Sequence, residues 1–268
     1  YHEINYPQIS HSCQDLQQAD FSEVECHDIM LASPCCQGHT KARGKEGAHH
    51  YKSRSTAWAP LSCAEFHLPD FFMIENVAEF IDWPLFKHWE ASFHSLGYSL
   101  SINLLDAADY GVPQHRKRIF IIGSKSKNPI NLKLVKKELI PVSSVIDLDS
   151  GKWSKVNKPG RAINTLNRVE NGRASFGDVF VMPYYGSGSG LTGRSIDRPI
   201  GTITTRDRWA IVRGDEMRMF TVDEYRKCMT FPTDSILPSR KDLAIQFLGN
   251  ATCPELVKQV LLNVKRAA

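Results

Sequence analysis

The sequence has no uncharged apolar run near the 18 or so residues that a membrane-crossing helix needs, so no membrane span is expected. Its opening, Tyr1-His-Glu-Ile-Asn5, lacks the basic-then-apolar order of a secretion signal. It also lacks a disulfide framework. Seven cysteines is an odd number, and only Cys35 and Cys36 are adjacent, which suits a reducing cytoplasm. No C-x2-C pair occurs. Cys35, Cys36, His39, His49 and His50 carry ligand atoms, but no second pair follows them, so no metal site is expected. No internal repeat is present, and a net charge of +4 excludes little by itself.

What is there is ordinary in bulk and uneven in detail. A chain of 268 residues, 42% hydrophobic and 23% charged, can bury a sizeable core in one large domain or in a large and a small one. Residues 112–173 hold fourteen Lys and Arg against four Asp and Glu. Such an excess suits a polyanion partner or a well-solvated face, and charge alone does not separate the two.

Residues 28–33 and 71–77 are short apolar runs and read as buried strands. Between them, residues 39–55 are rich in Gly, His, Lys and Arg and read as a long mobile loop. Residues 56–66 suit a helix that Pro60 would end or kink. A better helix runs from Pro84 to Leu96, with Leu85, Trp89, Phe93 and Leu96 at helical spacing and Gly97 as its stop. Residues 98–106 and 118–124 read as two further strands. This alternation predicts an α/β layer with a largely parallel sheet. Residues 125–214 change texture, with short strand-like pieces, many turn residues and no convincing amphipathic helix, which predicts a smaller irregular β-rich domain. Thr221-Val-Asp-Glu224 and Thr252-Cys-Pro-Glu255 both read as capping boxes opening helices.

Three places carry candidate chemistry. Cys36 follows a strand, where open α/β sheets bind ligands. A thiolate nucleophile needs a positive or hydrogen-bonding setting, which His39, Lys41 and Arg43 would help to supply, although most cysteines are simply small buried hydrophobes. Glu75 ends an apolar strand, and a carboxylate so delivered suits proton donation near neutral pH or a plain strand-end role. Arg116 and Arg118 share a face by strand alternation and present fixed donors. Residues 188–193 match G-x-G-x-x-G, but no helix follows, so the anion site of that motif is not expected.

Taken in order, these signals resemble one family. Ser33-Pro-Cys-Cys-Gln-Gly38 is similar to the Pro-Cys-Gln motif of DNA cytosine-5 methyltransferases, with Cys35 where proline is usual. Glu75-Asn-Val77 resembles their Glu-Asn-Val motif, and Gln114-His-Arg-Lys-Arg118 their Gln-x-Arg-x-Arg motif. Arg218-Met-Phe-Thr-Val-Asp-Glu224 with Phe231-Pro232 resembles the ninth motif, and Gln246-Phe-Leu-Gly-Asn-Ala251 the tenth. The resemblance implies a Rossmann-like S-adenosylmethionine-dependent methyltransferase sheet with a smaller β-rich target-recognition domain. It implies a catalytic domain over residues 1–124, target recognition over 125–232 and a C-terminal helical segment over 233–268.

It further implies Cys36 as the nucleophile on cytosine C6, Glu75 on the N3 and N4 edge, and Arg118, supported by Arg116, on O2. Asp15, Ser33, Pro34, Ala57, Asn250 and Ala251 are the implied contacts to S-adenosylmethionine, and Gln37, Arg43 and Gln114 to double-stranded DNA. Residues 37–55 would close over a flipped base. A cognate restriction endonuclease is an implied partner. The family's glycine-rich first motif has no match before Cys36, so the expectation is an incomplete chain, or one completed by a complementary N-terminal segment or subunit. An RNA cytosine-5 methyltransferase and a catalytically silent DNA-binding fragment are the competing expectations.

Overall fold

The computed structural model describes residues 1–39, 47–184 and 192–267. Its helices are α1 (His2–Asn5), α2 (Ala48–Ser55), α3 (Ala59–His67), α4 (Phe86–Ser95), α5 (Ile163–Phe176), α6 (Val222–Cys228), α7 (Lys241–Asn250) and α8 (Pro254–Ala267). Its strands are β1 (Ile29–Ala32), β2 (Phe71–Asn76), β3 (Ser99–Asp106), β4 (Lys117–Ser124), β5 (Ser154–Lys155), β6 (Val179–Pro183), β7 (Trp209–Arg213) and β8 (Glu216–Met219). Contacts divide the chain into two compact units. One holds Ser10–Asp106, Lys117–Leu134 and Val260–Ala268; the other holds Tyr1–Ile9, Ala107–Arg116 and Val135–Gln259. These cuts follow packing, whereas the boundaries after residues 124 and 232 divide the chain by expected role.

The first unit contains a sheet of order β1-β2-β4-β3. Only β1 and β2 are parallel; β4 runs antiparallel to both β2 and β3. This corrects the expectation of a largely parallel sheet. The stretch 107–116 between β3 and β4 is too short for a parallel crossover, which takes about a dozen residues or more. The continuous apolar run of β2 fits its central place, covered on both faces. β1 is a second correction. It is an edge strand rather than a buried one, with Ile29 56% and Leu31 53% exposed while Met30 between them is buried.

Met30, Phe72, Ile74, Leu100, Ile119 and Ile121 of this sheet pack against Ala57, Cys63, Ala64, Trp89 and Phe93. Trp89 is fully buried, and its indole N–H donates to the Ala57 carbonyl at 2.7 Å, so its one polar group is satisfied. Each large ring buried here contributes about 2–3 kcal/mol. Phe72 lies across β4 at Gly123, where a Cβ would stand 2.1 Å from the ring. Pro60 does not break a helix, because it falls in the first turn of α3, where its missing N–H costs nothing.

The second unit holds an all-antiparallel sheet of order β5-β8-β7-β6. Residues 125–214 do contain a helix, α5, contrary to expectation. It packs at Gly172, where a Cβ would lie 2.4 Å from the Phe180 ring. The Thr221–Glu224 capping box forms as read. Glu224 N–H donates to Thr221 Oγ1 at 3.2 Å, and Thr221 N–H donates to Glu224 Oε2 at 2.8 Å. The Thr252–Glu255 box does not form. Pro254 opens α8 instead, and the Glu255 carboxylate accepts from Lys137 Nζ at 3.0 Å and Gln259 Nε2 at 2.8 Å. Among the described residues, no helix is long and apolar enough to cross a membrane, and no three metal-ligating side chains cluster.

Candidate active site

Strand direction assembles the site within the first unit. Because β1 and β2 are parallel, their C-terminal ends lie at the same end of the sheet. Cys36 follows β1 by four residues, and Glu75 is the penultimate residue of β2. β4 is antiparallel, so its beginning reaches that same end; Glu75 stands opposite Phe120 and Asn76 opposite Ile119. Arg118, two residues before Phe120, therefore shares a sheet face with Glu75. The segment after β1 is pinned there by Asn76 Nδ2, which donates to the carbonyl of buried Pro34 at 3.1 Å.

Arg118 Nε and Glu75 Oε1 form an ion pair at 3.1 Å, and both side chains are largely shielded from water. The Cys36 thiol lies close enough to feel both charges. Burial pushes its pKa above the usual thiol value; Arg118 pulls it down, while Cys35 and Glu75 push it further up. Burial thus favours the thiol form of Cys36, with a cation at hand for the thiolate. Glu75→Gln removes one raising charge, so the pH profile of Cys36 alkylation by iodoacetamide is expected to move to lower pH. Peptide mass spectrometry across a pH series reads this directly, and an upward move would contradict the arrangement.

Thus Cys36, Glu75 and Arg118 come together as the sequence suggested. Other candidates make different contacts. Arg116 belongs to the other unit and is 2% exposed. Its guanidinium donates to the carbonyls of Ile203 (2.9 Å), Gly249 (2.7 Å) and Ala251 (2.8 Å). Strand alternation would align it with Arg118, but β4 begins only at Lys117, and Arg116 is spent on backbone. Gln114, expected against DNA, is fully buried. Its amide donates to Cys228 O and lies 3.0 Å from Met229 Sδ, and its oxygen accepts from Ile203 N–H. Ala57, expected against the cofactor, is wholly enclosed beneath Trp89 and has no surface to offer.

Asp15 and Ser33 are exposed, and Asp15 lies 3.7 Å from Lys52 Nζ. Gln37 is exposed beside Cys36. Asn250 is exposed and Ala251 half-buried in the other unit. Lys41 and Arg43 lie outside the described residues, as does most of the G-x-G-x-x-G stretch. His39 is buried edge-on to Phe80 (4.8 Å between ring centroids) and Trp83 (5.5 Å), and among the described residues Arg118 is the cation that acts on the thiol. The expected loop over 39–55 is helical from Ala48 to Ser55. Sequence reading missed Ser53 and Thr56, whose hydroxyls bond the backbone beside Cys36. Hydroxyl residues in a polar stretch carry no motif signal.

A family model for C-5 cytosine-specific DNA methylase matches residues 1–266. The chain belongs to that family. Among curated relatives of this methylase-family chain, the Type II methyltransferase M.BsuFI of Bacillus subtilis is 25% identical over 267 residues, covering 97% of this chain and 62% of that protein. The Type II methyltransferase M.MspI of Moraxella sp is 23% identical, covering 94% and 59%. The chain therefore spans about three fifths of the length of these relatives. The solved Entamoeba histolytica methyltransferase EhMeth matches with a TM-score of 0.67 at 17% identity, covering 99% of this chain and 85% of that one. The S. pombe Dnmt2 methyltransferase matches with 0.65 at 15%, covering 98% and 85%. The fold is thus the mixed α/β methyltransferase fold with a second, β-rich part.

Proposed function

We propose that this methylase-family chain transfers a methyl group to C5 of cytosine in DNA, through a covalent bond between Cys36 and C6 of a flipped base. The observation that carries the reading is the convergence of Cys36, Glu75 and the Arg118 guanidinium at one end of one sheet. C5 of cytosine is a poor nucleophile. A bond from Cys36 Sγ to C6 moves electron density onto C5, which can then take a methyl group. Glu75 grips the N3 and N4 edge and supplies a proton, so that negative charge does not build on the ring. Arg118 donates to O2, where charge also develops. Loss of the C5 proton then restores the ring double bond and expels Cys36.

S-adenosylmethionine supplies the methyl group when bound. The exposed Ser33 hydroxyl just after β1 and the exposed Asp15 carboxylate fit its polar parts, and the enclosed Ala57 does not. Gln37, beside the nucleophile, would meet DNA. The basic excess between residues 112 and 173 supports phosphate contact, and in this reading residues 125–232 would recognise the target. A cognate restriction endonuclease belongs to the proposal, because curated relatives carry Type II methyltransferase names.

The test is mechanism-based capture. The chain is incubated with S-adenosylmethionine and duplex DNA carrying 5-fluorocytosine, whose C5 cannot lose a proton, so the adduct persists. A band resistant to denaturation, mapped to the Cys36 peptide, is expected. Capture of 5-fluorocytosine RNA instead would shift the substrate class, and salt-sensitive DNA binding without any adduct would indicate a silent module.

A further inference from the structure

The nucleophile's backbone is held on both flanks by one short segment that the chemistry itself does not use. Ser53 Oγ accepts from Gly38 N–H at 2.9 Å and donates to the Cys35 carbonyl at 3.4 Å. Thr56 Oγ1 accepts from Cys35 N–H at 2.9 Å and donates back to the Ser53 carbonyl at 2.7 Å. Arg54 Nη1 donates to the Gly38 carbonyl at 3.0 Å. Ser53 and Thr56 stand three residues apart at the end of α2 and present both hydroxyls to one side. Gly38 completes the fit, because a Cβ there would stand 2.5 Å from the His50 carbonyl and 2.7 Å from Arg54 Cγ. Ser53 is itself buried. Its single oxygen bridges the residue before Cys36 and the residue two after it.

We propose that Ser53 is a positioning residue for Cys36, with Thr56 as its second grip, an inference that rests on the reading of Cys36 as the nucleophile. The clamp fixes the chain on either side of Cys36, so the thiol is kept on the charged pair of Glu75 and Arg118 rather than swinging with its own backbone. It also ties residues 35–38 to residues 53–56. Removing one buried hydroxyl leaves an N–H and a carbonyl without that partner, and such a loss corresponds to about a tenfold effect.

The test compares the wild-type chain with Ser53→Ala, Ser53→Thr and Thr56→Val. In Ser53→Ala, Cys36 is expected to react with iodoacetamide about tenfold faster, while buried Cys63 reacts as before and so reports intact folding. Capture of 5-fluorocytosine DNA at saturation is expected to slow about tenfold, with the half-saturating DNA concentration unchanged. Ser53→Thr, which keeps the hydroxyl, is expected to restore both. Ser53→Ala indistinguishable from wild type in alkylation overturns the clamp. If Ser53→Ala does not fold, the isosteric Thr56→Val carries the test, and unchanged Cys36 alkylation there overturns it. A wild-type chain that captures no DNA counts against methyl transfer alone, because alkylation still decides the clamp.

Discussion

Cys36→Ala is expected to abolish covalent capture of 5-fluorocytosine DNA and to lower methyl transfer by on the order of 10⁴-fold or more, while Cys35→Ala keeps both. The two thiols are adjacent and both half-buried, so position in sequence does not choose between them. Their surroundings do. The peptide N–H and carbonyl of Cys35 are bonded to Thr56 and Ser53, and its role is to carry the backbone. The thiol of Cys36 is the one set against the opposed charges of Arg118 and Glu75. In the proposed mechanism the bond to C6 comes from this sulfur, so capture ends when it is gone. Denaturing gels and incorporation of labelled methyl groups read the two variants side by side. Capture that survives in Cys36→Ala and disappears in Cys35→Ala would move the nucleophile by one residue.

Arg116→Met is expected to cost about 4 kcal/mol of folding free energy, read as a lower midpoint in urea. The flexible methionine fills much of the space but offers no donors. Three carbonyls, of Ile203, Gly249 and Ala251, then lose charged partners, the first two of them in buried bonds. Two of them lie at the C-terminal end of α7, where carbonyls have no partner within the helix. Relaxation there is restricted. A Cβ on Gly249 would stand 2.3 Å from the Thr204 carbonyl, so the helix end and the chain at 204 are already in contact. A variant as stable as wild type but inactive would return Arg116 to the chemistry and contradict its structural role.

The features legible in the sequence share a property: their signal is local. The Thr221–Glu224 box needs only four residues, and those residues do bond each other. The strand ending at Glu75 and the strand beginning before Arg118 were readable from apolar runs, and their ends carried the two charges. Features set by partners far along the chain were not readable. α5 hides because Asn164, Asn167, Asn171 and Gly172 lower its intrinsic preference for helix. It packs through Val169 and Leu166 into the cluster around Phe180, which comes close at Gly172. β1 looked buried because its run is apolar, yet one of its faces is uncovered, so Ile29 and Leu31 are exposed while Met30 is buried. Arg116 and Gln114 looked like site residues by motif, and their burial depends on Ile203 and residues 228–251.

Neither compact unit is a continuous piece of the gene. The chain passes from Ile9 to Ser10, from Asp106 to Ala107, from Arg116 to Lys117, from Leu134 to Val135 and from Gln259 to Val260, changing unit each time. Deletion mapping is therefore a poor guide to this protein. A truncation ending at residue 134 discards Val260–Ala268 from one unit while leaving Ala107–Arg116 of the other without its remaining partners. A lost activity in such a fragment would report disrupted packing in both units and would not locate the function in the deleted stretch. Point substitutions, which leave the five crossings intact, are the informative genetics here.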